Sequence, residues 1–334
     1  MKRAVLVGID HYPSAGSLSG CVADATAMNE LLVKNHDGIP NWTTKLITSQ
    51  AGRVTITRDS LRRALTTNLF ANSRDLDLLF FFAGHGAKTP WGADLVTQDA
   101  TPDSYGVSMN DLLTLANDSP ARSVTILLDC CFSGDMGNMP GIQAAGVAET
   151  FRIDKTVLRE NVTIMAASRS TEVSQESGGH GEFTRVLLDG LEGGATDHQG
   201  KVTALSLYGY ISPAFDAFQQ RPVLKTYLTG PVVLRVGPPW IDPAMLQQLT
   251  SHFPTEQYRL QLTPAHEGDN RPLPPGNPGT AEQQEFDYLG RLRNANLVTT
   301  DSKRDHYWVA MENGHVYLTP LGRYFWRLAK RNLL

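Results

Sequence analysis

Three cysteines in 334 residues, two of them adjacent at Cys130 and Cys131, are too few for a disulfide framework and point to a reducing, cytoplasmic setting. The histidines do not stand with them at zinc-ligand spacing, so no zinc site is expected. No apolar run approaches the roughly eighteen residues that a membrane-spanning helix needs. Met1-Lys2-Arg3 leads straight into an apolar stretch without the core of a secretory leader. A formal charge of -4 provides no bulk attraction for nucleic acid. Clustered acids are missing too: Asp94, Asp99, Asp103 and Asp111 are scattered, with Asp94 and Asp99 reading as loop and turn residues, whereas calcium needs six or more convergent oxygens. Neither a metal nor another cofactor is expected, and calcium dependence is not.

What is present is a pair of short apolar runs, each followed by a motif. Leu78-Leu79-Phe80-Phe81-Phe82 precedes Ala83-Gly84-His85-Gly86, and Val124-Thr125-Ile126-Leu127-Leu128 precedes Asp129-Cys130-Cys131-Phe132-Ser133-Gly134. Continuous apolar runs of this length predict strands covered on both faces, each stopping where its motif starts. In an open parallel sheet, ligands and chemistry collect at the carboxyl ends of the strands, which brings His85 to Cys131. A thiolate attacks carbonyl carbon, and an imidazole beside it favours the thiolate and later protonates the leaving amine. The backbone N–H groups of Gly86 and Cys131 are candidates for stabilising the oxyanion of that attack. Either motif alone reads as a turn histidine or as buried small cysteines; together, on two successive strands, they read as a nucleophile and its base. Asp129 and Cys131 are two residues apart and face one side of an extended strand, with Cys130 on the other.

These motifs resemble the caspase-like cysteine peptidases of the metacaspase, paracaspase and bacterial branch. The resemblance extends to Ala4-Val5-Leu6-Val7-Gly8-Ile9-Asp10, to Leu18-Ser19-Gly20-Cys21-Val22-Ala23-Asp24-Ala25, to Ala166-Ala167-Ser168 and to Gly181-Glu182-Phe183-Thr184-Arg185. It implies that Cys131, not Cys130, is the nucleophile and His85 its base. It implies that Asp24 and Asp129 line the pocket for the residue before the scissile bond, which selects Arg or Lys in a protein substrate. On local sequence alone, Asp24 reads equally as an acid in the first turn of a helix. Asp135 to Ile153, rich in Gly, Met and Ala, reads as a long loop, which the resemblance implies is a connection that rearranges or is cut on activation; Arg152, Lys155 and Arg159 near its end match the expected specificity and are autocleavage candidates. A regulated role in bacterial defence or cell death rests on the resemblance alone. The alternative is a non-catalytic caspase-like scaffold, which has little reason to keep His85, Cys131, Asp24 and Asp129 together.

Strand-like and helix-like stretches alternate as in an α/β layer, predicting a caspase-like, mostly parallel six-stranded sheet flanked by helices. Strands are expected near residues 3–9, 44–48, 77–83, 123–129, 161–167 and 229–236, and helices at 22–34, 57–71, 108–117, 181–191 and 203–219. The break at Gly237-Pro238-Pro239 closes a peptidase domain at 1–237, its large half about 1–150 and its small half about 160–237. Residues 238–279 read as a linker with a short helix. Residues 280–334 predict a small α+β module: a helix capped by Thr280, a hairpin of His306–Ala310 and His315–Leu318 around Glu312-Asn313-Gly314, and a last helix from Pro320. That order is similar to a winged helix. Glu282, Glu285 and Asp287 set the wrong sign for phosphates, so nucleic acid is not the expected partner despite Arg323, Arg327, Lys330 and Arg331. A regulatory protein partner is expected there.

Overall fold

The structure is a computed structural model that describes residues 1–89, 92–131, 157–167, 181–215, 222–267, 278–301 and 304–334, with only the backbone described at 88 and 131. Its first compact unit comprises residues 1–196 and 201–238. In chain order the unit runs β1 Lys2–Gly8, α1 Cys21–Val33, β2 Thr43–Thr48, α2 Arg58–Arg63, β3 Asp77–Thr89, β4 Gly92–Thr101, β5 Ser104–Ser108, α3 Met109–Asp118, β6 Ser123–Cys131, β7 Val162–Ala166, α4 Glu182–Asp189, β8 Lys201–Thr203, α5 Ala204–Ile211, β9 Val223–Tyr227 and β10 Val233–Val236. A π-turn, Ala64–Phe70, prolongs α2. The central sheet has the order β2-β1-β3-β6-β7-β9, parallel except for β9.

The three consecutive phenylalanines of β3 show why its apolar run is unbroken. Phe80 and Phe82 pack with Leu61, Leu65 and Leu112 from α2, its π-turn and α3. Phe81 points into a second core with Met28, Leu187 and Leu207 from α1, α4 and α5. Alternation along the strand therefore supplies both faces, and each fully buried ring contributes about 2–3 kcal/mol.

At its first residue β3 is pinned to β6. Asp77 lies opposite Ser123 and accepts its hydroxyl at 2.7 Å, and the Arg122 guanidinium grips both carboxylate oxygens. Burial raises the Asp77 carboxyl, but the hydrogen bonds from Arg122 and Ser123 outweigh it and hold the group below its ordinary range.

Three expectations need correction. The strands do not stop at the motifs: β3 runs through Gly84-His85-Gly86 to Thr89, where it turns into a hairpin with β4, and β6 runs to Cys131. Asp94 and Asp99 therefore lie in β4, not in a loop. The last strand of the sheet is β9, antiparallel to β7, while β10 leaves to pair with β8. A half-buried edge strand carrying Lys225 and an exposed Tyr227 lacks the apolar signature of the inner strands.

The second unit holds residues 197–200 and 239–334. It runs α6 Pro243–Gln247, α7 Leu249–His252, β11 Arg259–Gln261, α8 Pro264–Glu267, α9 Ala281–Asn294, β12 Val298–Thr300, α10 His306–Met311, β13 His315–Leu318 and α11 Pro320–Lys330. The stretch expected to be a linker supplies Leu246, Leu249, Phe253, Leu260 and Leu262 to this unit's core. The expected hairpin is also absent. His306–Met311 is helical because Asp305 caps it through the Tyr307 N–H and because its buried positions, His306, Val309 and Ala310, recur at helical spacing. β13 pairs instead with β11 and β12, so the winged-helix likeness loses its wing.

His306 is buried in this unit, and neither ring nitrogen has a hydrogen-bond partner among the described residues. Burial, with Arg293 adding to it, lowers its pKa to about 4. Between pH 6.5 and 4 the unfolded chain binds a proton that the folded one refuses. Stability is therefore full above pH 6.5 and falls as the pH drops toward 4, by about 2 kcal/mol after allowance for solvent. Thermal melts of the full chain at pH 7 and pH 5 should show a smaller acid shift in His306→Phe than in the wild type.

Candidate active site

His85 lies within β3, opposite Cys131 at the end of β6 and two residues past Ala83, which pairs with Gly8 at the end of β1. The parallel register sets His85 opposite Cys131, and neighbouring strands lie about 4.8 Å apart, so the two backbones are adjacent. Cys130 is buried in the core with Phe80 and Phe82. Gly86 is the first residue that β3 shares with β4, opposite Leu95.

His85 is held from two sides by one loop. Its Nε2 lies 2.6 Å from the Gly16 carbonyl, which only an N–H can satisfy, so the neutral ring carries its proton on Nε2. Its backbone N–H donates to the Tyr12 hydroxyl at 3.0 Å, and the Tyr12 ring packs at 4.7 Å from the imidazole. Nδ1 is buried and has no hydrogen-bond partner among the described residues. Burial lowers the His85 pKa below the ordinary imidazole value, opposed by the Gly16 hydrogen bond. The ring is thus neutral at pH 7, with its lone pair on Nδ1.

That loop is itself tied down. Gln98, buried on β4, donates to the carbonyls of His11 and Arg53 and accepts from the N–H groups of Thr55 and Ile56. All four of its hydrogen-bonding positions are filled, as a buried amide requires. Ser49 accepts from the N–H groups of Asp10 and His11. Asp10 in turn accepts from Cys21 and Val22, the orphan donors at the start of α1. Gly8 permits this junction, since a Cβ there would sit 2.2 Å from the Cys21 carbonyl oxygen.

Asp24 follows in α1, buried, and receives the Gly181 N–H at 3.2–3.3 Å on its two carboxylate oxygens. Asp129, buried on β6, receives both the N–H and the hydroxyl of Thr184, at 3.2 and 2.6 Å. Gly181 and Thr184 belong to one turn, the N-terminal turn of α4. The two acids expected to act together are thus brought to one place. A helix N-terminus, with its unpaired donors and positive dipole end, suits two carboxylates.

Of the expected cleavage positions, Arg152 and Lys155 lie outside the described residues. Arg159 is a correction to the expectation: its guanidinium donates to the carbonyls of Ala116, Ala121 and Glu160, so entering an active site would break three hydrogen bonds. Tyr12, Gly16, Gln98 and Thr184 were not foreseen as parts of the site. Only the clustering of Asp10 and Tyr12 just after an apolar run, and of Thr184 within Gly181-Glu182-Phe183-Thr184, signalled them. Among the described residues, no group of three or more His, Cys, Asp or Glu side chains gathers as a metal site, and no helix is long and apolar enough to cross a membrane.

The sheet is mostly parallel, and His85 and Cys131 lie opposite one another on its adjacent strands β3 and β6. Residues 1–232 match the caspase-domain family, and the chain belongs to it. It is similar to Metacaspase-4 of Arabidopsis thaliana, 29% identical over 145 residues that cover 40% of this chain and 34% of that one. Metacaspase-1A of Aspergillus oryzae is 29% identical over 154 residues, covering 42% and 36%. The matched stretch thus spans about a third of the length of these relatives. Among solved structures, caspase-1 of Spodoptera frugiperda aligns with a TM-score of 0.45 at 12% identity, covering 71% of this chain and 90% of that one. The Drosophila initiator caspase Dronc aligns at 0.44 and 10%, covering 68% and 79%.

A Cβ at Gly84 would stand 2.5 Å from the Tyr12 hydroxyl that receives the His85 N–H. Gly84→Ala should therefore lower stability by roughly 1–3 kcal/mol and displace His85. In a Tyr12→Phe background the same substitution should cost less. Denaturant melts and thiol alkylation rates of the single and double variants measure that coupling.

Proposed function

We propose that the chain is a cysteine endopeptidase that hydrolyses peptide bonds after Arg or Lys. The single observation that carries this reading is His85: Nε2 anchored on the Gly16 carbonyl, Nδ1 buried without a partner among the described residues, on the strand position opposite Cys131. Nδ1 takes the Cys131 thiol proton, and the thiolate attacks the scissile carbonyl carbon. The N–H groups of Gly86 and Cys131 are the donors we assign to the oxyanion. The His85 proton then passes to the departing amine, leaving a thioester. Water, deprotonated by His85, adds to the thioester, and the acid product leaves with regeneration of the thiol. Asp24 and Asp129 provide the negative charge that a buried guanidinium or ammonium needs.

The metacaspase likeness supports the basic preference, since acids rather than arginines stand at the pocket positions. We assign the second unit to regulation through a protein partner, and the first cut, where it occurs, to Arg152 or Lys155. The reaction fits a regulated step of defence or cell death inside the cytoplasm, the family context and the sparse cysteines being its support.

Cys131→Ala should abolish cleavage and Cys130→Ala should retain most of it; equal loss from both would overturn the assignment of the nucleophile. Fluorogenic peptides ending in Arg or Lys should be cut, and those ending in Asp ignored. Asp24→Ala and Asp129→Ala should each cost roughly 3–5 kcal/mol of transition-state binding if the cation is buried. The base must be unprotonated to act, so kcat/KM should rise with pH along an acid limb lying below pH 6.5, following the lowered His85 pKa.

A further inference from the structure

The hydrogen bonds between α4 and the two acids carry an inference beyond the identity of the pocket residues. Asp129 does not stand alone at the end of β6: Thr184, fully buried, places two donors, its N–H and its hydroxyl, on the same carboxylate oxygen, Oδ2. A threonine on a helix has few χ1 choices, and one that bonds forward to Asp129 is further confined by the packing around it. The helix thereby helps to set the direction of a carboxylate that the strand bears. Gly181, three residues earlier, holds Asp24. The cap and first turn of one helix thus hold both carboxylates.

We propose that Thr184 is a positioning residue for substrate recognition: by holding Oδ2 of Asp129 it directs that carboxylate toward the cation of the residue before the scissile bond. The inference rests on the peptidase reading with a basic preference, and it adds a determinant on the small half of the domain. It makes recognition depend on a side chain that touches neither the substrate cation nor the nucleophile. A guanidinium, whose planar fork needs carboxylates in fixed directions, should feel the loss more than a compact ammonium.

The test compares wild type, Thr184→Val and Thr184→Ser in the full chain, using matched peptides ending in Arg and in Lys and the alkylation rate of Cys131 by iodoacetamide. A hydrogen bond to a charged group sets the expected size: Thr184→Val should raise KM for the Arg peptide by roughly tenfold to a hundredfold, with kcat changed by less than about threefold. Its preference for Arg over Lys should fall, its alkylation rate should match the wild type, and Thr184→Ser should restore KM. A Thr184→Val enzyme with unchanged KM, or one whose kcat and alkylation fall together with a rise in KM that Ser does not rescue, overturns the proposal. If Thr184→Val does not fold, Thr184→Ala against Thr184→Ser makes the same comparison, and equal KM in the two overturns it. A wild type that is alkylated normally yet cuts after neither Arg nor Lys overturns the underlying reading and this one with it. A wild type that cuts, with Thr184→Val indistinguishable from it, overturns this one alone.

Discussion

The register between β3 and β6 is the constraint on which the site depends. Asp77 and Ser123 meet at one end and His85 and Cys131 at the other, so the ion pair and hydroxyl at the start of the strands determine which cysteine lies beside the histidine. A slip of β3 by one residue would set Cys130 against His85 and turn the apolar run of β3 over, putting Phe81 where Phe80 and Phe82 belong. The two cores on opposite faces of β3 resist that slip because each is filled by side chains of alternate residues.

Around this pair the domain adds supports that do not touch a reacting atom. The loop from β1 brings the Gly16 carbonyl and the Tyr12 hydroxyl to His85, and Gln98 holds the loop through His11. Asp10 and Gly8 seat the first turn of α1, which positions Asp24. The first turn of α4 collects Asp24 and Asp129. Acids from two distant segments of the chain thus meet on a third, and the electrostatics of a helix N-terminus make the meeting favourable. The tautomer of His85 follows from the same scaffold, since a single carbonyl decides which nitrogen carries the proton.

Much of this was legible in the residues. Inner strands covered on both faces show as unbroken apolar runs, and Gly84-His85-Gly86 and Asp129-Cys130-Cys131 announce chemistry because they occur together on two successive strands, where either alone reads as a turn histidine or as buried cysteines. Less legible were features determined by partners far away in sequence. The extension of β3 past His85 depends on β4, and the choice of β9 over β10 as the edge depends on β7 and β8. His306–Ala310 reads as a strand because its aromatic and apolar residues follow one another closely, whereas the Asp305 cap and the helical spacing of the buried positions make it a helix. Thr184 and Gln98 are ordinary polar residues in sequence, and only their burial and hydrogen bonds give them roles.

The most direct test of the account is the structure of the chain inactivated by a peptidyl electrophile ending in Arg. The account predicts a covalent bond to Cys131 Sγ, with His85 Nδ1 facing that sulfur while Nε2 stays on the Gly16 carbonyl, and with the arginine side chain between Asp24 and Asp129. A bond to Cys130 or Cys21, or an arginine seated away from both acids, would contradict it.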